Sequence, residues 1–215
     1  MKVVYKGKDF EKVEKDILKA FNHVRAYFPV EISGITIRIY ENRFLFDKRL
    51  KRETPEWLIA NASEKEIDIL SPLAIEKESN HQKIEFVQIL KHEFTHLFLN
   101  KLAKGNIIPM WLNEGIASYV ARQHKNDKVK LSLEKGFCRK IGTKKGWDSN
   151  INNFSYTISA LFVSFLIKKY SLGKIKELIT SLHKYYNYSD FKKVFLSVYG
   201  KDLSEVETMF INMLQ

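Results

Sequence analysis

Between Ile84 and Leu102 the residues Ile84, Val87, Leu90, Phe94, Leu97 and Leu102 recur at helical spacing, and apolar side chains fall on most sides of the helix they define. Such a helix has to be buried, so the rest of the chain must supply layers around it. Inside this apolar stretch lies the polar pentad His92-Glu93-Phe94-Thr95-His96. Two histidines four positions apart sit about 40° apart around a helix, so both imidazoles can reach one ion from the same face. Glu93 leans towards that face as well. The spacing of Ser79-Asn80-His81-Gln82 predicts a capping box at the helix start, with Gln82 reaching back to the Ser79 backbone, and Gly105 is the expected left-handed stop.

A second stretch, Trp111-Leu112-Asn113-Glu114-Gly115-Ile116-Ala117, follows after a short connection. Pro109 suits the first turn of a helix that would contain it. Glycine costs about 1 kcal/mol relative to alanine in a helix interior, so Gly115 needs a compensating role. Close approach is the expected one: without a side chain at Gly115 and with only a methyl at Ala117, this helix can press against the pentad helix and bring Glu114 to the ion.

Around these two helices the periodicities give an α+β fold. Phe10, Val13, Ile17, Phe21, Val24 and Phe28 mark an amphipathic helix over Asp9 to Phe28, stopped by Pro29. Ile35, Ile37 and Ile39 alternate as in a strand, and Glu56 to Asn61 and Glu66 to Leu70 are two further strands, the last ended by Pro72. A small mixed sheet with helices is thus expected ahead of the pentad helix. Gly136 to Asn153 reads as loop with a turn of helix. Helices are then predicted over Ser155 to Tyr170, Lys174 to Tyr186, Asp190 to Tyr199 and from Leu203, with Gly173 and Gly200 as C-terminal caps and Ser204 to Glu207 as a capping box. No linker or repeat divides the chain. The expectation is one domain over 1–215, with an α/β part over 1–104 that includes the pentad helix and an all-helical part over 105–215.

Composition narrows the class of function. At 45% hydrophobic and 13% aromatic residues the chain is globular rather than disordered. Its net charge of +11 comes from lysines scattered along the sequence, never in a block of five or six, which favours a solvated surface over a nucleic-acid partner. Cys138 is the only cysteine, so no intrachain disulfide forms and a reducing compartment is expected; burial as a small hydrophobe fits it better than a nucleophilic role. The first ten residues carry polar side chains where a secretory core would lie, and no apolar run approaches the ~20 residues of a membrane helix. A complete, soluble, cytoplasmic protein without a membrane partner is the expectation. Oligomeric state is not legible.

Two neutral imidazoles and a carboxylate suit Zn²⁺, which in catalytic sites takes three protein ligands and keeps one position for water. The assignment is His92, His96 and Glu114 as ligands, with Glu93 off the metal as general base. Zinc lowers the pKa of its water to about 7, and Glu93 can take that proton as the water attacks a polarised carbonyl. Asn113 and Ser118 are unranked candidates to orient the imidazoles. His23, His81, His124 and His183 stand in helical or lysine-rich polar surroundings and are read as surface or helix-end residues.

His92-Glu93-x-x-His96 followed by Trp111-Leu112-Asn113-Glu114-Gly115-Ile116-Ala117 resembles the gluzincin metallopeptidases, closest to the small members of the peptidase MA-like group. The resemblance spans roughly residues 33–214. It implies a zincin-like fold, zinc, and a peptide or protein substrate. It also implies a downstream tyrosine that stabilises the oxyanion; Tyr156 stands where that residue would fall, and packing on the core is the alternative reading. The stretch Trp57 to Ala62 (Trp57, Ile59, Asn61, Ala62) corresponds to the cleft-edge strand, which could pair with an extended substrate or be an ordinary edge strand. Gluzincin aminopeptidases carry a Gly-x-Met-Glu-Asn segment there, and this chain does not, which favours endopeptidase cleavage. A different class remains open: a protein that keeps zinc as a structural pin and binds a partner through the same cleft or a basic surface. The presence of Glu93 argues for the hydrolase.

Overall fold

The computed structural model describes residues 1–123, 134–150, 155–184 and 187–214. Contacts divide the chain into two compact units, Met1–Phe98 and Leu99–Gln215. Among the described residues no helix is long and apolar enough to cross a membrane.

The N-terminal unit is built on a four-stranded mixed sheet of order β1-β2-β4-β3. β1 (Lys2–Val4) and β2 (Thr36–Tyr40) are parallel and are joined through α1 (Phe10–Arg25). β2 is also parallel to β4 (Glu66–Leu70), whereas β3 (Ala60–Ser63) runs antiparallel to β4 at the sheet edge. Ile37, Ile39, Ile67 and Ile69 fill one face of the sheet and are buried. α1 buries Val13, Ile17, Ala20 and Val24, and its Phe21 lies 5.4 Å from Phe94 and 5.7 Å from Phe98, ring centre to ring centre. The pentad helix is therefore clad by α1, as its apolar perimeter demands.

The opposite face of the sheet is polar and is covered by α2 (Arg43–Leu50). Arg38 donates to Glu66 at 2.6 Å, Arg49 donates to the other oxygen of Glu66 at 2.6 Å, and the Tyr40 hydroxyl donates to the buried Asp68 at 2.6 Å. Burial first, and then the Asp68 carboxylate, push the Tyr40 phenol well above its ordinary pKa. Glu66 is held below the usual carboxylate range, chiefly by the hydrogen bond from Arg38.

Several local expectations shift. β1, α2 and α3 (Pro72–Glu78) are additional elements. Pro72 ends β4 and at the same time opens α3, whose N-cap Ser71 accepts from the Ala74 N–H. The strand expected over Glu56 to Asn61 begins only at Ala60: Pro55 to Leu58 form a turn in which Leu58 N–H donates to the Pro55 carbonyl, so Trp57 and Ile59 precede the strand.

Beyond α4 (Phe86–Ala103), the described part of the C-terminal unit is helical: α5 (Met110–Ala121), α6 (Phe137–Lys140), α7 (Lys144–Asn150), α8 (Ser155–Tyr170), α9 (Leu172–Thr180), α10 (Tyr188–Tyr199) and α11 (Leu203–Leu214). Its core is aromatic: the Phe162 ring meets Trp111 at 5.3 Å, Phe137 at 5.1 Å and Phe210 at 5.1 Å. α6 and α7 occupy most of the stretch read as loop, whose end at 151–153 lies outside the described residues, as do 185 and 186 of the predicted Lys174 to Tyr186 helix. Gly200 takes the left-handed C-cap (φ +68°), but Gly173 lies inside the first turn of α9 and it is Ser171 that turns to φ +96°. The capping box expected at Ser204 does not form. Asp202 accepts from the Ser204 N–H, and Glu207 is fully buried with its two carboxylate oxygens accepting from the backbone N–H groups of Gly136 and Cys138, at 3.0 and 2.9 Å.

Cys138 is fully buried, and burial, reinforced by the neighbouring Glu207 carboxylate, raises its thiol well above its ordinary pKa. It should stay silent to a thiol reagent at pH 8 in the native protein and react once the chain is unfolded. Glu207→Ala strips the acceptor from two backbone donors and should cost about 2–6 kcal/mol in urea unfolding, from roughly 1–3 kcal/mol per group left unmade.

Candidate metal centre

The cap ahead of the pentad helix is Gln82, three residues later than the sequence suggests, and the α-helix itself opens at Phe86. Ser79 does not cap it; its hydroxyl donates back to the Ile75 carbonyl at the end of α3 and accepts from His81 N–H. The reciprocal bond comes instead from Glu85, whose carboxylate accepts from Gln82 N–H at 3.0 Å and pairs with the His81 ring at 2.9 Å. A 3₁₀ turn over Lys83–Glu85 leads into α4. On α4, Phe94, Leu97, Phe98 and Thr95 are buried, Glu93 is only 9% exposed, and His92 and His96 are half-buried. The two imidazoles stand 4.7 Å apart at 77° to one another, the expected product of i,i+4 spacing on one face. Gly105 takes φ +85° just beyond the helix end, as its position predicts.

α5 opens with Pro109 as N-cap, one position before the first turn where it was expected. Trp111, Leu112, Ile116, Ala117 and Val120 are buried completely. Gly115 does provide a close approach, but to a different partner from the pentad helix: a Cβ at this position would lie 2.5 Å from the Ser159 carbonyl oxygen and 2.7 Å from a Val163 methyl, both on α8. The helix-propensity cost of the glycine is thus the condition for backbone-to-backbone packing of α5 on α8. Sequence periodicity shows that Gly115 needs a neighbour without showing which.

His92, His96 and Glu114 each offer a ligand atom, and these atoms all lie within 4.8 Å of one another. Four ligands around zinc at about 2.0–2.2 Å sit roughly 3.4 Å apart, so small side-chain movements suffice to close this set on an ion. The donor types fit too: imidazole nitrogen and carboxylate oxygen satisfy a borderline divalent ion, and three protein ligands leave a coordination position for water or substrate.

The other sequence candidates fall as follows. Tyr156 is at the second position of α8, 37% exposed, its ring edge-on to Trp147 at 4.8 Å, one turn before the Ser159 carbonyl that Gly115 touches. Trp57 is 45% exposed, while Ile59 is buried and its carbonyl accepts from Leu70 N–H. In an antiparallel ladder the bonded pairs alternate, so Asn61 also turns its backbone towards β4, and Ala60 and Ala62 present theirs to the free edge. Ala60 was missed, because hydrophobic pattern cannot tell which backbone groups a ladder leaves open. His23 is half-buried beside Tyr27, His183 is exposed and accepts through its carbonyl from Ile107 N–H, and His124 lies outside the described residues.

The Peptidase MA superfamily profile matches residues 82–215, from the cap of α4 to the end of the chain. The chain belongs to the Peptidase MA superfamily. The match contains every ligand of the candidate centre and more than half the protein. No curated protein matches the chain. Membership fixes the class as a peptidase, within a superfamily that is commonly metal-dependent.

Gly115→Ala tests the placement of α5. Overpacking against a backbone carbonyl costs about 1–3 kcal/mol and the better helix propensity of alanine returns about 1, so a net loss of up to about 2 kcal/mol is expected in chemical unfolding. Divalent-metal affinity should fall with it, because Glu114 is the adjacent residue. An unchanged stability and affinity would contradict the close contact.

Proposed function

We propose that the protein is a zinc-dependent peptidase of gluzincin type that cleaves within peptide chains. The observation that carries this is the convergence of His92, His96 and Glu114 on one point, inside the region that matches the superfamily. These three residues would hold Zn²⁺. Bound there, zinc supplies a Lewis acid and a water acid enough to ionise near neutral pH.

Each remaining role falls to a residue of this chain. Glu93 follows His92 directly and is almost wholly buried, so its carboxylate oxygens face little competing solvent. It accepts the proton of the attacking water and returns it to the leaving amine. The partly exposed phenol of Tyr156 donates to the oxygen on which negative charge develops, a bond strongest in the transition state. The outward backbone groups of Ala60 and Ala62 pair with an extended peptide laid along β3, flanked by Trp57 and the Asn61 side chain, while Ile59 supports the edge from the core. The absence of a Gly-x-Met-Glu-Asn segment, whose glutamate would hold a free amine, supports internal cleavage over removal of N-terminal residues.

Purified protein should contain about one zinc per chain, lose activity to a chelator and regain it with zinc. Glu93→Gln should retain the metal and lose about 10²–10⁴-fold in kcat on a quenched-fluorescent peptide library, the usual contribution of a general base. If wild type and Glu93→Gln hold zinc equally and both leave every library member intact, the site is a structural pin and the hydrolase reading fails.

A further inference from the structure

The turn that delivers β3 has little to hold it by packing: Pro55, Glu56 and Trp57 are exposed and Leu58 is only half-buried. It is held instead by one guanidinium. Arg43, the first residue of α2, donates through Nη1 to the Thr54 hydroxyl at 2.7 Å, the Pro55 carbonyl at 3.2 Å and the Leu58 carbonyl at 3.1 Å, and through Nη2 to the Glu56 carbonyl at 3.1 Å. The same group donates from Nε and Nη2 to the Glu78 carbonyl, at 3.2 and 3.1 Å, at the C-terminal end of α3, where a positive charge is favoured by the helix dipole. Its backbone N–H donates to the Glu78 carboxylate at 2.6 Å. Thr54 in turn donates to Asp47 of α2 at 2.6 Å.

We infer that Arg43 is a positioning residue for substrate: it fixes the Thr54–Leu58 turn against α2 and α3 and thereby sets the orientation of Trp57 and the approach of β3, along which the peptide is laid. The inference rests on the proposed peptidase reading and deepens it by naming what keeps the substrate-pairing edge in place. Charge alone does not account for the arrangement. A planar fork with five N–H donors spans carbonyls from two segments at once, whereas an ammonium offers three donors from a single point. Arg43 touches neither the metal ligands nor the scissile bond, so its effect should be on binding that is equal in the ground and transition states, which shows in KM rather than kcat.

The test uses the full-length zinc-loaded protein and the library octapeptide that wild type cuts best. Arg43→Lys, which keeps charge and stem, should raise KM about tenfold with kcat within about twofold, and should speed amide exchange over residues 54–63 about tenfold while leaving Thr36–Tyr40 unchanged. Thr54→Val removes one anchor and should raise KM about two- to threefold, which keeps the inference testable if the arginine variant folds poorly. Unchanged KM in both variants overturns it, as does a loss confined to kcat or a loosening that spreads to β2. A wild type that cuts no library peptide brings down the peptidase reading instead, and the exchange over 54–63 then still decides whether Arg43 holds the turn.

Discussion

Two helices can meet at backbone distance only where one of them has no side chain, and at Gly115 α5 meets the Ser159 carbonyl in that way. The two histidines need no such help. They share a face of a single helix, so their separation is given by helical geometry. The third member of the candidate cluster, Glu114, comes from a separate element, and its position depends on how that element is seated. A contact between side chains would leave α5 some freedom, because rotamers can adjust. A contact between a glycine and a carbonyl oxygen leaves very little, and Glu114 is the next residue along. A backbone contact with little freedom therefore stands beside the member of the cluster that most needs placing.

The basic residues divide into two populations with different physical roles. Several lysines pair with acids three or four positions away on helix surfaces, as Lys144 does with Asp148 and Lys174 with Glu177, contacts of the kind worth a few tenths of a kcal/mol each. Arg38, Arg43 and Arg49 instead bridge separate elements: the first and last grip Glu66 and Asp68 on the polar face of the sheet, and Arg43 binds backbone carbonyls. A planar group with fixed donor directions can hold irregular backbone that apolar packing cannot, since exposed turns offer nothing to bury.

How much of this could be read from the residues depended on whether the deciding interaction was local. α8 over Ser155–Tyr170 was legible in full, because its apolar periodicity is uninterrupted. The clustering of His92, His96 and Glu114 was legible because its two histidines are tied by a fixed spacing. The cap ahead of α4 was misplaced by three residues because Ser79 and Gln82 both offer a capping oxygen, and only the folded chain shows that Ser79 is already committed to Ile75. Glu207 looked like half of a capping box and is a buried acceptor for residues some seventy positions earlier. α2 was missed because its apolar residues show no helical face: Phe46 is buried while Phe44 is exposed. The partner of Gly115 was mistaken for the same reason as Glu207, since spacing along the chain carries no information about which distant element arrives.

β1 is only three residues long, and it lies at the opposite edge of the sheet from the strand proposed to receive substrate. Its pairing with β2 covers the backbone of Thr36–Arg38 on that side. Trimming the first few residues, or fusing a bulky tag directly to them, would turn β2 into an open edge, a template for pairing with any extended chain. With β1 in place that edge is three residues long, and without it the edge would be the five-residue β2, a longer template on which a second copy of the chain could pair.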